Sequence, residues 1–229
     1  MLVFRKVNSL NDLYNMSERI ATIRRALKLD TDIWTDLPDD LIEIAFRPSS
    51  VIITKKLAAS LHDKYGMSNL EVLEFLGDAV LELAVTHIIF EEAQGSPGSM
   101  SQHREQFVRN TSLFCLMNRL NLCGLTARTN KPYRIKDCAD ILEAIIGALY
   151  YYLVYIKEED TYMSILQDYI EDYLYDPIVR KNLFEQNIPI DACVIKGQKT
   201  AFDLGKDYLI RPKKRANINV PPGTNRIKR

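Results

Sequence analysis

The longest regular pattern in the chain is an apolar run that is interrupted only by acids at helical spacing. Within residues 70–90, the acids lie three, four and four residues apart: Glu71, Glu74, Asp78 and Glu82. At about 3.6 residues per turn, this spacing places the four carboxylates on one face of a helix. Stacked like charges repel, and carboxylates removed from water are costly unless a cation meets them. The pattern therefore predicts a helix whose acidic stripe faces metal ions or basic side chains.

A second segment has the same pattern on a shorter scale. Residues 137–150 place Asp140 and Glu143 one turn apart on an otherwise apolar helix, with Asp137 one turn earlier on the same side. Two such helices facing each other would gather four carboxylates into an oxygen cage. This ligand set suits hard divalent ions such as Mg²⁺, and the absence of His or Cys from both clusters disfavours zinc.

The remaining pattern predicts an all-α chain without internal repeats or any strand before residue 190. The sequence around Gly95, Ser96, Pro97 and Gly98 is typical of a loop. The amphipathic first helix is expected to pack on its own domain, with a dimerisation arm as the alternative. Helices are expected over residues 9–28, a short stretch ending before Pro48, residues 51–65 with Gly66 as the C-terminal cap, and residues 101–120, 138–156 and 160–175.

Four stretches together resemble a known family. Residues 73–83, Leu-Glu-Phe-Leu-Gly-Asp-Ala-Val-Leu-Glu-Leu, are similar to the signature helix of the ribonuclease III family, and residues 140–148 resemble its second motif. Residues 101–111 resemble the short motif between them, and residues 44–49 a degraded form of the opening stretch. The resemblance implies an all-α fold divided into an N-terminal helical extension (1–36), a ribonuclease III catalytic domain (37–175) and a basic C-terminal segment (176–229).

The resemblance also implies a reaction. The family's catalytic metal ligands fall on Glu74, Asp78, Asp140 and Glu143, and all four acids are present. Two divalent ions about 3.5–4 Å apart can activate water and neutralise charge at a phosphodiester. The expected activity is cleavage of double-stranded RNA by a homodimer with Mg²⁺, for which Mn²⁺ can substitute, leaving short 3′ overhangs. The alternative is an inert RNA-binding or ribosomal structural protein with the same fold, which the intact acids disfavour.

Further residues gain a role only through the resemblance. Glu71 matches a recurrent acid that orients the ligands or pairs across a subunit interface, although Val72 replaces the Arg that often follows it. Phe75 matches a residue that packs across the dimer, with a plain core position as the alternative. Asn110 and Lys136 match an active-site Asn and a Lys near the scissile phosphate in the eukaryotic branch. A solvated loop cation is the alternative for Lys136.

Charge is unevenly distributed along this chain of 229 residues and zero net charge. Residues 176–229 hold 12 basic and 5 acidic residues, so the first 175 residues carry a net charge of −7. An acidic body with a basic tail suits an enzyme with a polyanionic substrate, and Lys213, Lys214 and Arg215 are candidate RNA contacts. The alternative is a solvated tail. The tail has no recognisable double-stranded-RNA-binding domain, which suggests either a minimal family member or a truncated chain.

The cysteines and the apolar stretches bear on the location of the protein in the cell. The four cysteines have neither zinc-type nor redox spacing, so reduced thiols inside the cell, in cytoplasm or nucleus, are expected. No apolar stretch is expected to reach the roughly 18 residues of a membrane span, because acids interrupt the longest candidate. The N-terminal apolar run is too short for a signal peptide.

Overall fold

A computed structural model describes residues 10–49, 51, 53–92, 96–125 and 134–174, and in these ranges the chain is helical with no strand. This confirms the all-α fold class. The basic segment with Lys213, Lys214 and Arg215 lies outside the described residues. The helices are α1 (Leu10–Ala26), α2 (Asp39–Ala45), α3 (Lys55–Tyr65), α4 (Glu71–Glu92), α5 (Pro97–Val108), α6 (Asn110–Arg119), α7 (Ile135–Tyr151) and α8 (Tyr162–Tyr169). Short 3₁₀ turns (Asp32–Trp34, Cys123–Leu125) and single π turns (Tyr152–Ile156, Ile170–Leu174) complete it.

The crossing of α4 and α7 forms the centre of the fold and depends on two glycines. A Cβ atom on Gly77 would lie 1.8 Å from the carbonyl oxygen of Glu143, and one on Gly147 would lie 2.0 Å from the carbonyl oxygen of Leu73. Both separations are far below van der Waals contact, so only glycine permits this approach. The crossing brings the backbone of each helix against the acid-bearing turn of the other.

The start of α4 is fixed by a buried ionic network. The guanidinium of Arg47, only 4% exposed, donates to Glu43 at 3.1 Å and to the Ser68 carbonyl oxygen at 3.2 Å. Arg19 of α1 also pairs with Glu43, and the backbone N–H of Leu70 donates to the Arg47 carbonyl oxygen at 3.0 Å. A buried guanidinium needs several partners, and satisfying them ties α1, α2 and the entry to α4 together.

The described part of α1 belongs to the same core. Ile20, Ile23 and Leu27 are buried, and the Tyr169 hydroxyl donates to the Leu27 carbonyl oxygen at 2.7 Å. Burying one such aliphatic side chain contributes about 1.5–3 kcal/mol. The domain boundaries at residues 36/37 and 175/176 remain a prediction.

Several expectations about helix boundaries were wrong. The helix expected over residues 51–65 begins at Lys55, because the Thr54 hydroxyl caps it by accepting from the Leu57 N–H at 3.2 Å. The single helix expected over residues 101–120 is two helices, because Arg109 adopts an extended conformation (φ −66°, ψ 148°) between α5 and α6.

A loop was expected over residues 95–98, but α5 begins at Pro97; residue 95 lies outside the described residues. The Ser96 hydroxyl caps this helix by accepting from the Ser99 N–H at 3.2 Å, and Pro97 occupies its first turn, where a missing N–H has no cost. The Gly66 cap is confirmed, with φ 71°.

The expectation that no stretch has the length of a membrane span was also wrong. Among the described residues, Ile135–Ile156 is long and apolar enough to qualify by length and composition, because no charged residue follows Glu143 before Lys157. However, 67% of the apolar 18-residue window within this stretch is buried inside the fold, as for the core helix of a globular domain.

Candidate active site

Three of the four predicted acids meet at the crossing of α4 and α7. One carboxylate oxygen each from Glu74, Asp140 and Glu143 can be chosen so that all three lie within 4.8 Å of one another. Glu143 is buried, with 8% of its surface exposed, and the other two are half-buried. The Gly77–Gly147 contact sets this geometry, since it removes the side-chain layer that normally separates two helices.

The fourth acid, Asp78, lies at the edge of this group. It is exposed, one turn after Glu74 on α4, and it is not one of the three clustered carboxylates. Its charge nevertheless raises the pKa of Glu143, so it acts on the same site. The structure therefore gathers Glu74, Asp140 and Glu143 and leaves Asp78 at the rim.

The negative charge of the clustered acids is not fully compensated by positive charge around them. Burial raises the pKa of Glu143 to about 8, and the charges of Asp78, Asp140 and Glu74 add to this effect. Burial, and then the charge of Asp140, raise the pKa of Glu74 above its usual range. Both shifts show that the ionised forms require nearby positive charge.

Lys136 supplies part of that positive charge. Its ammonium lies 2.6 Å from Asp140 Oδ1 and 3.4 Å from Glu74 Oε1, so it bridges α7 and α4. The hydrogen bond to Asp140 raises the pKa of Lys136. The side chain remains 58% exposed. Lys136 thus lies on the first turn of α7 against the acids and is still largely solvated, and its role toward the RNA remains a prediction.

Asp137, expected beside the other acids of α7, instead caps the helix. Its carboxylate accepts from the Arg134 backbone N–H at 3.1 Å and from the Arg134 guanidinium at 2.6 Å. This pairing lowers the pKa of Asp137. Sequence reasoning missed Arg134, although an acid three residues after a helix start is a known sign of reciprocal capping.

The other predicted residues are less closely associated with the acids. Asn110 is the first residue of α6 and is exposed, and within the described part of the chain it makes no hydrogen bond to the clustered carboxylates. Glu71, the first residue of α4, is exposed, and its charge contributes to the raised pKa of Glu74. Their proposed roles remain predictions.

Phe75 is not a core residue, since 83% of its surface is exposed. It shares the outer side of α4 with Val72, Leu83 and Phe90, which are 51%, 46% and 74% exposed. We call these four residues the outer apolar face of α4. The apolar run of α4 does not by itself reveal which side of the helix meets the protein.

Comparison with known proteins covers the same region. The family profile "Ribonuclease III domain" matches residues 71–152, which include all four acids. Ribonuclease 3 of Variovorax paradoxus is 38% identical over 99 residues, covering 40% of this chain and 43% of the relative. Ribonuclease 3 of Staphylococcus carnosus is 33% identical over 145 residues, covering 60% of this chain and 55% of the relative. The chain thus spans about half the length of the curated relatives it matches.

A solved structure has a related fold. The nuclease domain of ribonuclease III from Campylobacter jejuni, in which a region involved in dimer formation shows structural flexibility, aligns with a TM-score of 0.50 and 24% identity. The alignment covers 68% of this chain and 96% of that domain. At this identity the likeness concerns the fold alone. The chain is thus similar in sequence to relatives named Ribonuclease 3, and residues 71–152 match the Ribonuclease III domain profile.

Proposed function

We propose that this protein is an endoribonuclease that cleaves double-stranded RNA by metal-dependent phosphodiester hydrolysis, acting as a homodimer and leaving short 3′ overhangs. The observation that carries the proposal is the meeting of Glu74, Asp140 and Glu143 across the α4–α7 crossing. The matched Ribonuclease III domain and the relatives named Ribonuclease 3 support it. Clustering carboxylates costs folding free energy through repulsion and desolvation, and an inert structural protein has no reaction that requires such a cluster.

The donor set fits a hard divalent cation. Three carboxylates lie within 4.8 Å of one another and one of them is buried, an all-oxygen environment that suits Mg²⁺, with Mn²⁺ as a substitute. Glu74, Asp140 and Glu143 would hold the cation, and Asp78 at the rim would complete the set. Bound Mg²⁺ in such sites supplies an activated water and neutralises phosphate charge.

Other side chains have proposed roles toward the RNA. The Lys136 ammonium lies against the acids, where it can neutralise charge on the scissile phosphate. We propose that Asn110 contacts the substrate near this point, that Glu71 orients the inner ligands, and that Lys213, Lys214 and Arg215 bind the RNA backbone. Duplex RNA is read mainly by its shape, phosphates and 2′-hydroxyls, so such contacts would not select a base sequence.

The outer apolar face of α4 supports the proposed dimer. Phe75 and Phe90 are 83% and 74% exposed, and large exposed aromatics grouped on one face typically mark an interaction surface. A second copy can cover this face by two-fold symmetry, because the same patch then serves both subunits. In this arrangement Phe75 packs across the interface. A location inside the cell, in cytoplasm or nucleus, remains a prediction.

A cleavage assay with a long labelled duplex RNA tests the proposed activity. We expect short duplex products in Mg²⁺ or Mn²⁺, none in EDTA, and none from the Glu143→Gln variant, which should still bind the duplex. Glu82→Gln is the matched control, because Glu82 lies on α4 but is exposed and outside the cluster. An intact duplex after incubation of the wild-type protein with Mg²⁺ would support the inert RNA-binding alternative.

A further inference from the structure

Lys136 occupies the place where positive charge is most needed. Its ammonium is within hydrogen-bond distance of Asp140 Oδ1 (2.6 Å) and Glu74 Oε1 (3.4 Å). These two acids belong to the three-carboxylate cluster. An ammonium has three donors and no acceptor, so this position suits it in the same way that it suits a metal ion.

The ammonium and a divalent ion would compete for the same carboxylates. Mg²⁺ takes its oxygen ligands at about 2.0–2.1 Å and in strict octahedral geometry. An ammonium hydrogen-bonded to the same acids would lie within a few ångströms of the ion, where two cations repel strongly in a partly buried site. Binding of the ion therefore requires the Lys136 head group to leave.

The Lys136 side chain can leave at little cost. It is 58% exposed and begins on the first turn of α7, and its flexible stem can carry the ammonium into solvent. The released ammonium would remain at the mouth of the site, beside the acids rather than among them. At that position it would face the phosphates of an approaching RNA.

We propose that Lys136 is the resident counter-ion of the metal-free site and that divalent-ion binding displaces its ammonium toward the RNA. The inference rests on the proposed function, since it assigns Lys136 a part in loading that same site. It has two consequences. Lys136 lowers the affinity of the site for metal, and the metal raises the affinity for duplex RNA by freeing a cation. The two ligands are therefore coupled, and the coupling is reciprocal.

A simpler explanation must be separated from this one, because loss of any nearby positive charge would attract a metal ion more strongly. Arg134 provides the matched control. The charge of Asp140 contributes to the raised pKa of Arg134, but the Arg134 guanidinium is bound by Asp137. Among the described residues, Arg134 makes no hydrogen bond to Glu74, Asp140 or Glu143. Removing Arg134 changes the electrostatic potential at the acids without removing a cation that is hydrogen-bonded to the three clustered carboxylates.

Titration with Mn²⁺ in the absence of RNA, followed by the electron paramagnetic resonance signal of the free ion, tests the first consequence. We expect Lys136→Met to bind Mn²⁺ about fivefold or more tightly than wild type. This factor corresponds to the free energy of one ion pair, which the metal no longer has to break. Arg134→Met should change the affinity by less than about twofold. Lys136→Arg, which keeps a cation at this position, should remain near wild type. Circular dichroism of each variant verifies that the helices are intact.

Equal Mn²⁺ affinities for Lys136→Met and Arg134→Met, or a weaker affinity for Lys136→Met than for wild type, would overturn the inference and leave the proposed function untouched. Wild-type protein that binds no Mn²⁺ would overturn the proposed metal site itself. The second consequence is measured as the ratio of duplex affinities with and without Ca²⁺. This ratio should fall in Lys136→Met and persist in Arg134→Met, and an undiminished ratio in Lys136→Met would contradict the coupling.

Discussion

The two sides of α4 have similar residue types and opposite surroundings. On the inner side, Leu73 is fully buried and Gly77 touches the backbone of α7. On the outer side, Phe75 is 83% exposed and Phe90 is 74% exposed. Hydrophobicity therefore does not decide which side of this helix enters the core. The two glycines determine which side of α4 is buried, because only at Gly77 and Gly147 can α7 approach closely enough to cover α4.

The contrast also separates two kinds of function. The inner side carries the acids that meet α7, so its geometry must be rigid. The outer side has apolar residues without a cover in the described chain, and we attribute this surface to a second copy. Changes on the inner side should therefore disturb folding and chemistry together, and changes on the outer side should disturb assembly alone.

The largest effect is expected from filling the contact between the helices. Gly77→Ala places a methyl group 1.8 Å from the Glu143 carbonyl oxygen, and backbone cannot yield as a flexible side chain can. We expect a loss of about 3 kcal/mol in the free energy of unfolding, together with loss of cleavage. Urea denaturation followed by fluorescence of Trp34, the single tryptophan and a buried one, measures the change.

Gly124→Ala is the control for this prediction. Gly124 lies in a short 3₁₀ turn and a Cβ atom there would meet nothing within 4 Å. Its free energy of unfolding should change by less than about 0.5 kcal/mol. Similar losses for the two variants would show that the crossing is less tight than the structure indicates.

Phe75→Ala tests the outer side. Because Phe75 makes little contact within its own chain, the fold should be unaffected, whereas loss of a central aromatic should weaken a dimer by about 2–4 kcal/mol, or roughly 30-fold to 1000-fold. Light scattering across the micromolar range should show dimer for the wild type and monomer for the variant. Tyr155→Ala, an aromatic that is 61% exposed on another element, should remain dimeric. Wild-type protein of monomer mass at all concentrations would refute the assembly.

The sequence predicted the chemistry of the inner side better than its geometry. The period of the acids on α4 and the resemblance of residues 73–83 identified Glu74 and Asp78, and the second motif identified Asp140 and Glu143. Their separation into three clustered acids and one at the rim was not predictable. It depends on the depth and angle of the crossing, which come from packing between distant parts of the chain.

Other features of the fold also have signals in the sequence. Gly77 and Gly147 interrupt two strongly apolar helices, which is itself a sign of a close backbone approach. Pro97 after Ser96 is a helix-start signal, which the flanking Gly95 and Gly98 obscure because glycines are typical of loops. The helical period alone does not give the exposure of Phe75, since a period of 3.6 identifies a face but does not say what covers it.

The raised pKa of Glu143 gives a pH dependence to the metal-free protein. The folded state holds this proton up to a pKa of about 8, whereas the unfolded chain releases it near the usual 4.5. Between these values the folded state binds more protons, so the free energy of unfolding falls as pH rises from about 4.5 to 8. Allowing for solvent screening, we expect a fall of roughly 1–2 kcal/mol in EDTA.

Urea denaturation at several pH values in EDTA measures the slope of the free energy of unfolding against pH. Glu143→Gln has no ionisation at this position, so the slope should become shallower and the variant should be more stable than wild type at pH 8.5. Glu82→Gln, the exposed control on α4, should keep the wild-type slope. Identical slopes for Glu143→Gln and wild type would contradict the charge surplus at the inner side.

The smallest effect distinguishes two acids on α7 that are one turn apart. Asp137 accepts from the Arg134 backbone N–H at 3.1 Å and stabilises the first turn of the helix, whereas Asp140 joins the cluster. Asp137→Ala should therefore lower the free energy of unfolding by about 0.5–1 kcal/mol, since it removes a cap and a favourable charge at a helix N-terminus. Asp137→Asn retains an acceptor oxygen and should lose less.

Mn²⁺ titration completes this last comparison. Asp137→Ala should bind Mn²⁺ within about twofold of wild type, because Asp137 faces Arg134 and is not among the clustered acids. Asp140→Ala should bind the ion at least about tenfold more weakly, since it removes one of the three clustered carboxylates. If Asp137→Ala weakened Mn²⁺ binding as much as Asp140→Ala, the cap and the metal site would be one structure, and the distinction between the inner acids and their neighbours on α7 would fail.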